Sequence, residues 1–95
     1  MLTLEDENNL DNEVVERVCQ AEASGKPISA LRGPKYDVRL KKELNLPYHQ
    51  DVLCAAVNRL VNAGMLRLEE SAEEYAVCYG TGAPHTYPIA TVLPG

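Results

Sequence analysis

The segment Leu44-Asn45-Leu46-Pro47-Tyr48-His49-Gln50-Asp51-Val52-Leu53-Cys54-Ala55-Ala56-Val57-Asn58-Arg59-Leu60-Val61-Asn62-Ala63-Gly64-Met65-Leu66 decides the reading of this chain. An apolar residue closes one helix, Asn45 to Pro47 breaks it, and Pro47 suits the first position of the next. At about 100° per residue, Gln50, Leu53, Cys54, Val57, Leu60, Val61 and Gly64 gather on one face of that next helix. Tyr48, Asp51, Val52, Ala55, Arg59 and Asn62 gather on the other. Gly64 ends the helix, because glycine takes the left-handed cap without strain.

Working upstream, Pro34 to about Leu44 reads as a second helix whose inner side carries Tyr36, Leu40 and Leu44. Lys35, Arg39 and Lys42 fall at i, i+4 and i+7 and form one basic stripe on its other side. Lys26-Pro27-Ile28-Ser29 reads as a short extended link with a strand residue or two, and Ser29 to Arg32 as a turn of helix. A first helix starts at Asn8, Asn9 or Asp11 and stops at Ser24-Gly25, with Leu10, Val14, Val18 and Ala21 along its apolar side. Residues 1–8 read as a flexible acidic arm, 9–92 as the folded domain and 93–95 as a tail.

Downstream, Met65 to Glu69 reads as a strand, Glu70 to Glu73 as a turn, and Tyr75 to Tyr79 as a second strand by its alternation. Gly80-Thr81-Gly82-Ala83-Pro84 is a turn signal. Thr86 to Val92 forms a third strand, which Pro88 restricts to the sheet edge. Tyr36 and at least one of Tyr75 and Tyr79 stand in for absent Phe and Trp as aromatic core anchors, whereas Tyr48 points away from the helical stripe.

Composition narrows the function classes. Ninety-five residues make one domain with a modest core. No apolar run is long enough to span a bilayer, so a membrane is not an expected partner. The acidic start is the opposite of a secretory signal, and a cytoplasmic setting is expected. Cys19, Cys54 and Cys78 have no paired spacing, which argues against disulfides and zinc and for small apolar fillers. Net charge is −5, yet it is uneven. Residues 1–25 carry seven acids against Arg17, whereas 26–42 carry Lys26, Arg32, Lys35, Arg39, Lys41 and Lys42 against Asp37.

The order of three helices followed by two or three antiparallel strands resembles the winged helix-turn-helix domains of bacterial and phage transcriptional regulators. Leu44 to Pro47 is similar to their inter-helix turn, Val57 to Leu66 to the passage from recognition helix into wing, and Gly80 to Tyr87 to a wing tip. The resemblance implies an α+β winged helix that docks its third helix in the major groove of double-stranded DNA, as a dimer. Tyr48, His49, Asp51, Val52, Ala55 and Arg59 are then the residues facing bases and phosphates, Arg59 toward guanine. Lys35, Arg39 and Lys42 hold the backbone, and His85 is the titratable group at the tip. Ala83 stands where such tips often carry an arginine, which weighs against DNA.

The competing expectation is a winged helix used as a protein-binding module, with Val52 and Tyr48 as anchors and the basic stripe on an acidic partner surface. Catalysis is the least expected class. His49 and His85 lie at no metal-ligand spacing, Gly80-x-Gly82 opens no helix, and no nucleophile setting is recognisable. No cofactor is implied.

Overall fold

The computed structural model describes residues 2–32, 37–77, 82 and 85–95, with the backbone alone for 72–75 and 77. The elements run α1 (Leu4–Ala23), β1 (Ile28–Leu31), α2 (Val38–Leu44), α3 (Gln50–Asn62), β2 (Leu66–Val77) and β3 (His85–Pro94). This is an α+β fold in which three helices accompany an antiparallel three-stranded sheet of order β1-β3-β2. The order is compatible with that of a winged helix.

α1 begins four residues before the earliest cap expected from sequence. Thr3 is its N-cap: its side chain accepts from the Asp6 N–H, and the Asp6 carboxylate accepts from the Thr3 N–H. This reciprocal pair satisfies two otherwise orphaned donors, and the acids of the first turn, Glu5 to Glu7, suit the positive helix end. The stretch read as a flexible arm is therefore mostly helical. Leu10, Val14 and Val18 form the buried side as expected. Gly25, at φ +83°, follows the C-cap.

β1 is a complete four-residue strand rather than a link and a helical turn. It pairs with β3 from Ile28 opposite Val92 to Leu31 opposite Ile89. Ile28 and Ala30 enter the core, while Ser29 lies against α2. A strand this short has no strong signal of its own, and the partner strand decides it.

α3 starts at Gln50, not Pro47. Pro47 and Tyr48 instead form a tight turn in which the Tyr48 N–H donates to Leu46 O at 2.8 Å. Its buried face is Leu53, Ala56, Val57 and Leu60, an i, i+3, i+4, i+7 set. Cys54, Val61 and Gln50 flank it half-buried, and Gly64 is exposed. The core joins this face to α1, to Leu40, Leu44 and Leu46, and to Leu66 and Val92 of the sheet.

The strands differ from expectation in three ways. Glu70 to Glu73 do not make a turn. β2 continues to Val77 with a register shift between Glu70 and Glu74. The segment Glu-Ser-Ala-Glu lacks the Gly, Pro, Asn or Asp that a tight reversal uses, so the surplus residues bulge instead. Next, β3 is the central strand despite Pro88. The Pro88 carbonyl accepts from the Arg32 N–H, just past the last β1 residue. The missing Pro88 N–H therefore points at the place where β1 ends, so proline removes the return bond to Arg32 there and leaves the pairing with β2 intact. Finally, Leu93 and Pro94 belong to β3, and the Gly95 N–H donates to Met65 O, so the expected tail is part of the sheet margin.

Tyr36, Cys78 and Tyr79 and the side chain of Tyr75 lie outside the described residues. Cys19 is exposed, contrary to its reading as an apolar filler, and Cys54 is half-buried.

Candidate functional site

The residues assigned to docking divide into two groups. Those of α3 share one surface with the start of α1. Leu2, Glu7, Asp51, Val52, Ala55 and Arg59 line a shallow depression of about 280 Å³. His49 caps α3: its Nδ1 accepts from the Asp51 N–H at 3.1 Å. The imidazole thus serves the helix end. Tyr48 is half-buried against the core, and its carbonyl accepts from Lys41 Nζ. Leu2 and Val52 also pack on the core from outside.

Arg59 does not stand alone on this face. Its Nε and one terminal nitrogen donate to the two oxygens of Asp11 at 3.3 and 2.7 Å, a two-pronged bridge between α3 and α1. Asp11, chiefly through that hydrogen bonding, and Glu7, through its charge, push Arg59 further toward its charged form. The cation expected to reach guanine is thus matched inside the fold. Glu7 and Asp51 remain, one from each helix, and Glu7 pairs with no cation among the described residues.

The basic stripe of α2 is also largely engaged. Arg39 Nε donates to Ser29 Oγ at 2.7 Å, its guanidinium lies 3.6 Å from Glu43, and Ser29 Oγ donates to Glu43 at 3.1 Å. Lys41 is tied to Tyr48. Lys42 is exposed and pairs with no carboxylate among the described residues. Lys35 lies outside the described residues. His85 is exposed at the start of β3, opposite Val77. Most of the tip beyond it, including Ala83, is also outside the described residues.

A second concavity, about 310 Å³, lies between β1, α2, α3 and β2 and contains Asp37 and Cys54. Asp37 is 3 % exposed, and both its oxygens are occupied. Oδ1 accepts from the Leu40 N–H and Oδ2 from the Leu31 N–H, each at 2.9 Å. Burial pushes its carboxyl up from the ordinary value, against the backbone donors that pull it down. Burial, helped by the charge of Asp37, pushes the Cys54 thiol up to about 11. At neutral pH it is protonated and a poor nucleophile. Among the described residues no three metal-ligating side chains come together, and no helix is long and apolar enough to cross a membrane.

Sequence reasoning missed Asp37, Asp11, Leu2 and Glu7. Asp37 had a signal, an Asp three residues before the apolar Leu40 at a helix start. Asp11 had none, since it stands 48 residues from the arginine it holds. Compared with known protein families, curated proteins and solved structures, the chain matches none.

Proposed function

We propose that this protein is a small winged-helix interaction module that binds a protein through the face shared by α3 and the first turns of α1. The observation that carries the reading is the pairing of Arg59 with Asp11 across that face. With this cation matched, the rest of the lining is Leu2, Val52 and Ala55 together with the carboxylates of Glu7 and Asp51. Such a patch suits a protein surface, where an apolar centre contributes affinity and rim charges choose the partner. A cytoplasmic setting belongs to the same reading, supported by cysteines without paired spacing.

The competing reading, a DNA-binding regulator, requires Arg59 to leave Asp11 and brings Glu7 and Asp51 toward phosphates. Affinity for DNA comes largely from phosphate neutralisation, which Lys42 supplies only weakly. Titration with random duplex DNA at low and at physiological salt tests the choice. No binding at low salt is the expected result. Micromolar binding that weakens steeply with salt replaces this reading with the DNA one.

A further inference from the structure

The two outer edges of the sheet are not alike. β1 and β2 flank β3, so each has one side without a strand. The alternation of an antiparallel ladder decides which backbone groups face that side. The Arg32 N–H donates to Pro88 O and the Gly95 N–H to Met65 O, each at 2.9 Å. Counting in twos from those bonds, Leu31 turns its N–H away from β3, and so do Leu66, Leu68 and Glu70. Asp37 takes the Leu31 N–H. No hydrogen bond among the described residues reaches the outward backbone groups of Leu66, Leu68 and Glu70. Leu68 stands opposite Val92 of the core, yet it is 37 % exposed. The straight part of this edge ends at the register shift between Glu70 and Glu74. A straight, unpaired edge with an uncovered leucine is a template for another strand.

We propose that this edge of β2 pairs with the same edge of a second copy, antiparallel about a two-fold axis at Leu68, joining both sheets into one. The charge pattern of the strand selects this occupant and this register. With Leu68 opposite Leu68, Arg67 of each copy lies across from Glu69 of the other. These positions form the non-hydrogen-bonded pairs, in which facing side chains stand closest. Within one copy Arg67 already lies 3.0 Å from Glu69, both more than half exposed. Pairing gives each of them a further opposite charge and breaks nothing, so the signs alternate around the axis. An axis at Arg67, Glu69 or Glu70 would instead set like charges face to face. On the core side the two Leu68 side chains cover each other, while Leu66 of one copy exchanges backbone bonds with Glu70 of the other. The contact is isologous and closes at the dimer. A single short strand pair buries little surface, so the association is weak and reversible. The interface uses β2 alone, apart from the residues that line the α1–α3 depression.

Sedimentation velocity of the full chain over a wide concentration range, with amide hydrogen exchange at both ends of that range, tests it. The mean mass rises reversibly with concentration from monomer to dimer and stops there. Exchange at Leu66 and Leu68 slows as the dimer forms, whereas Arg67 and Glu69, which face β3, change little. R67E and E69R each weaken the dimer about tenfold, because each sets like charges across the axis. The double variant R67E/E69R recovers it, since the pattern is re-formed with its signs exchanged. L68K brings two lysines together at the axis and abolishes the dimer. Circular dichroism of each variant checks that the fold is retained. A monomer at every concentration overturns the proposal. So does a dimer in which Leu68 exchanges as fast as in the monomer, one that L68K leaves unchanged, or a double variant that fails to recover.

Discussion

α2 and α3 are neighbours joined by a five-residue turn, Asn45 to His49, yet they are held in place by different physics. α3 has thirteen residues and seats Leu53, Ala56, Val57 and Leu60 in the core, each 4 % exposed or less. α2 has seven and buries Leu40 and Leu44. Two turns are too few for an apolar side to fix a helix by itself. Polar anchors do the rest. Asp37 ties the start of α2 to β1, Arg39 and Glu43 close over Ser29, and Lys41 reaches the Tyr48 carbonyl. Asn45, at φ +53°, ends the helix in the left-handed conformation that asparagine tolerates. The lesson concerns charge. On α2, Arg39 and Lys41 are recruited to hold the helix and Lys42 is not; on α3, Arg59 fastens the helix to α1 through Asp11.

The largest expected effect lies on α3. Leu60→Ala should lower stability by about 2–5 kcal/mol in urea unfolding, because a buried branched side chain leaves a cavity. A loss near zero would mean that α3 is not held by its apolar face. Next comes the polar anchor of α2. Asp37→Ala should cost about 1–3 kcal/mol, since it strands two buried backbone donors. This gap should also depend on pH. The folded carboxyl is raised above its ordinary value by burial, so the folded state binds the proton more tightly than the unfolded one. The stabilisation tied to Asp37 is then fully present below the unfolded value and is partly lost as pH rises through the folded one. Unfolding of wild type and Asp37→Ala side by side should show the gap widening on acidification; a gap that narrows would contradict the raised value.

A smaller effect is expected between the helices. A double-mutant cycle on Asp11 and Arg59 should give a coupling of about 0.2–1 kcal/mol, because Arg59 is 38 % exposed and solvent screens the pair. The smallest belongs to Lys42→Ala, expected within about ±0.5 kcal/mol as an exposed residue outside the α2 network. A loss comparable to that of Asp37→Ala would show Lys42 to be another anchor and would erase the distinction drawn within the stripe.

The periodic parts of the fold were legible in the residues themselves. Leu10, Val14 and Val18 announce one buried helix side, and Leu53, Val57 and Leu60 another, because i, i+4 spacing has few other meanings. The glycine stops at Gly25 and Gly64 were likewise readable. β1 was not, since four residues take their conformation from a partner far along the chain. The continuity of β2 through Glu70 to Glu74 was not either, since a carboxylate-rich stretch reads as a turn until a facing strand is known. Of the residues read as outward, Asp51, Val52, Ala55 and Arg59 share one surface, whereas Tyr48 packs against the core. The contribution of Leu2 and Glu7 was missed because both precede the expected helix start, and the capping by Thr3 and Asp6, which starts α1 at Leu4 and brings Glu7 into it, was overlooked.

The central position of β3 has a consequence for how the molecule assembles. Ile28 to Leu31 have no strand to pair with until Ile89 to Val92 have been synthesised, and β2 waits for the same segment. Closing that distant pairing late, after the helices have met, sets a slow final step. A chain truncated short of Ile89 should therefore leave β1 and β2 without their partner strand, open to chaperones and to its neighbours.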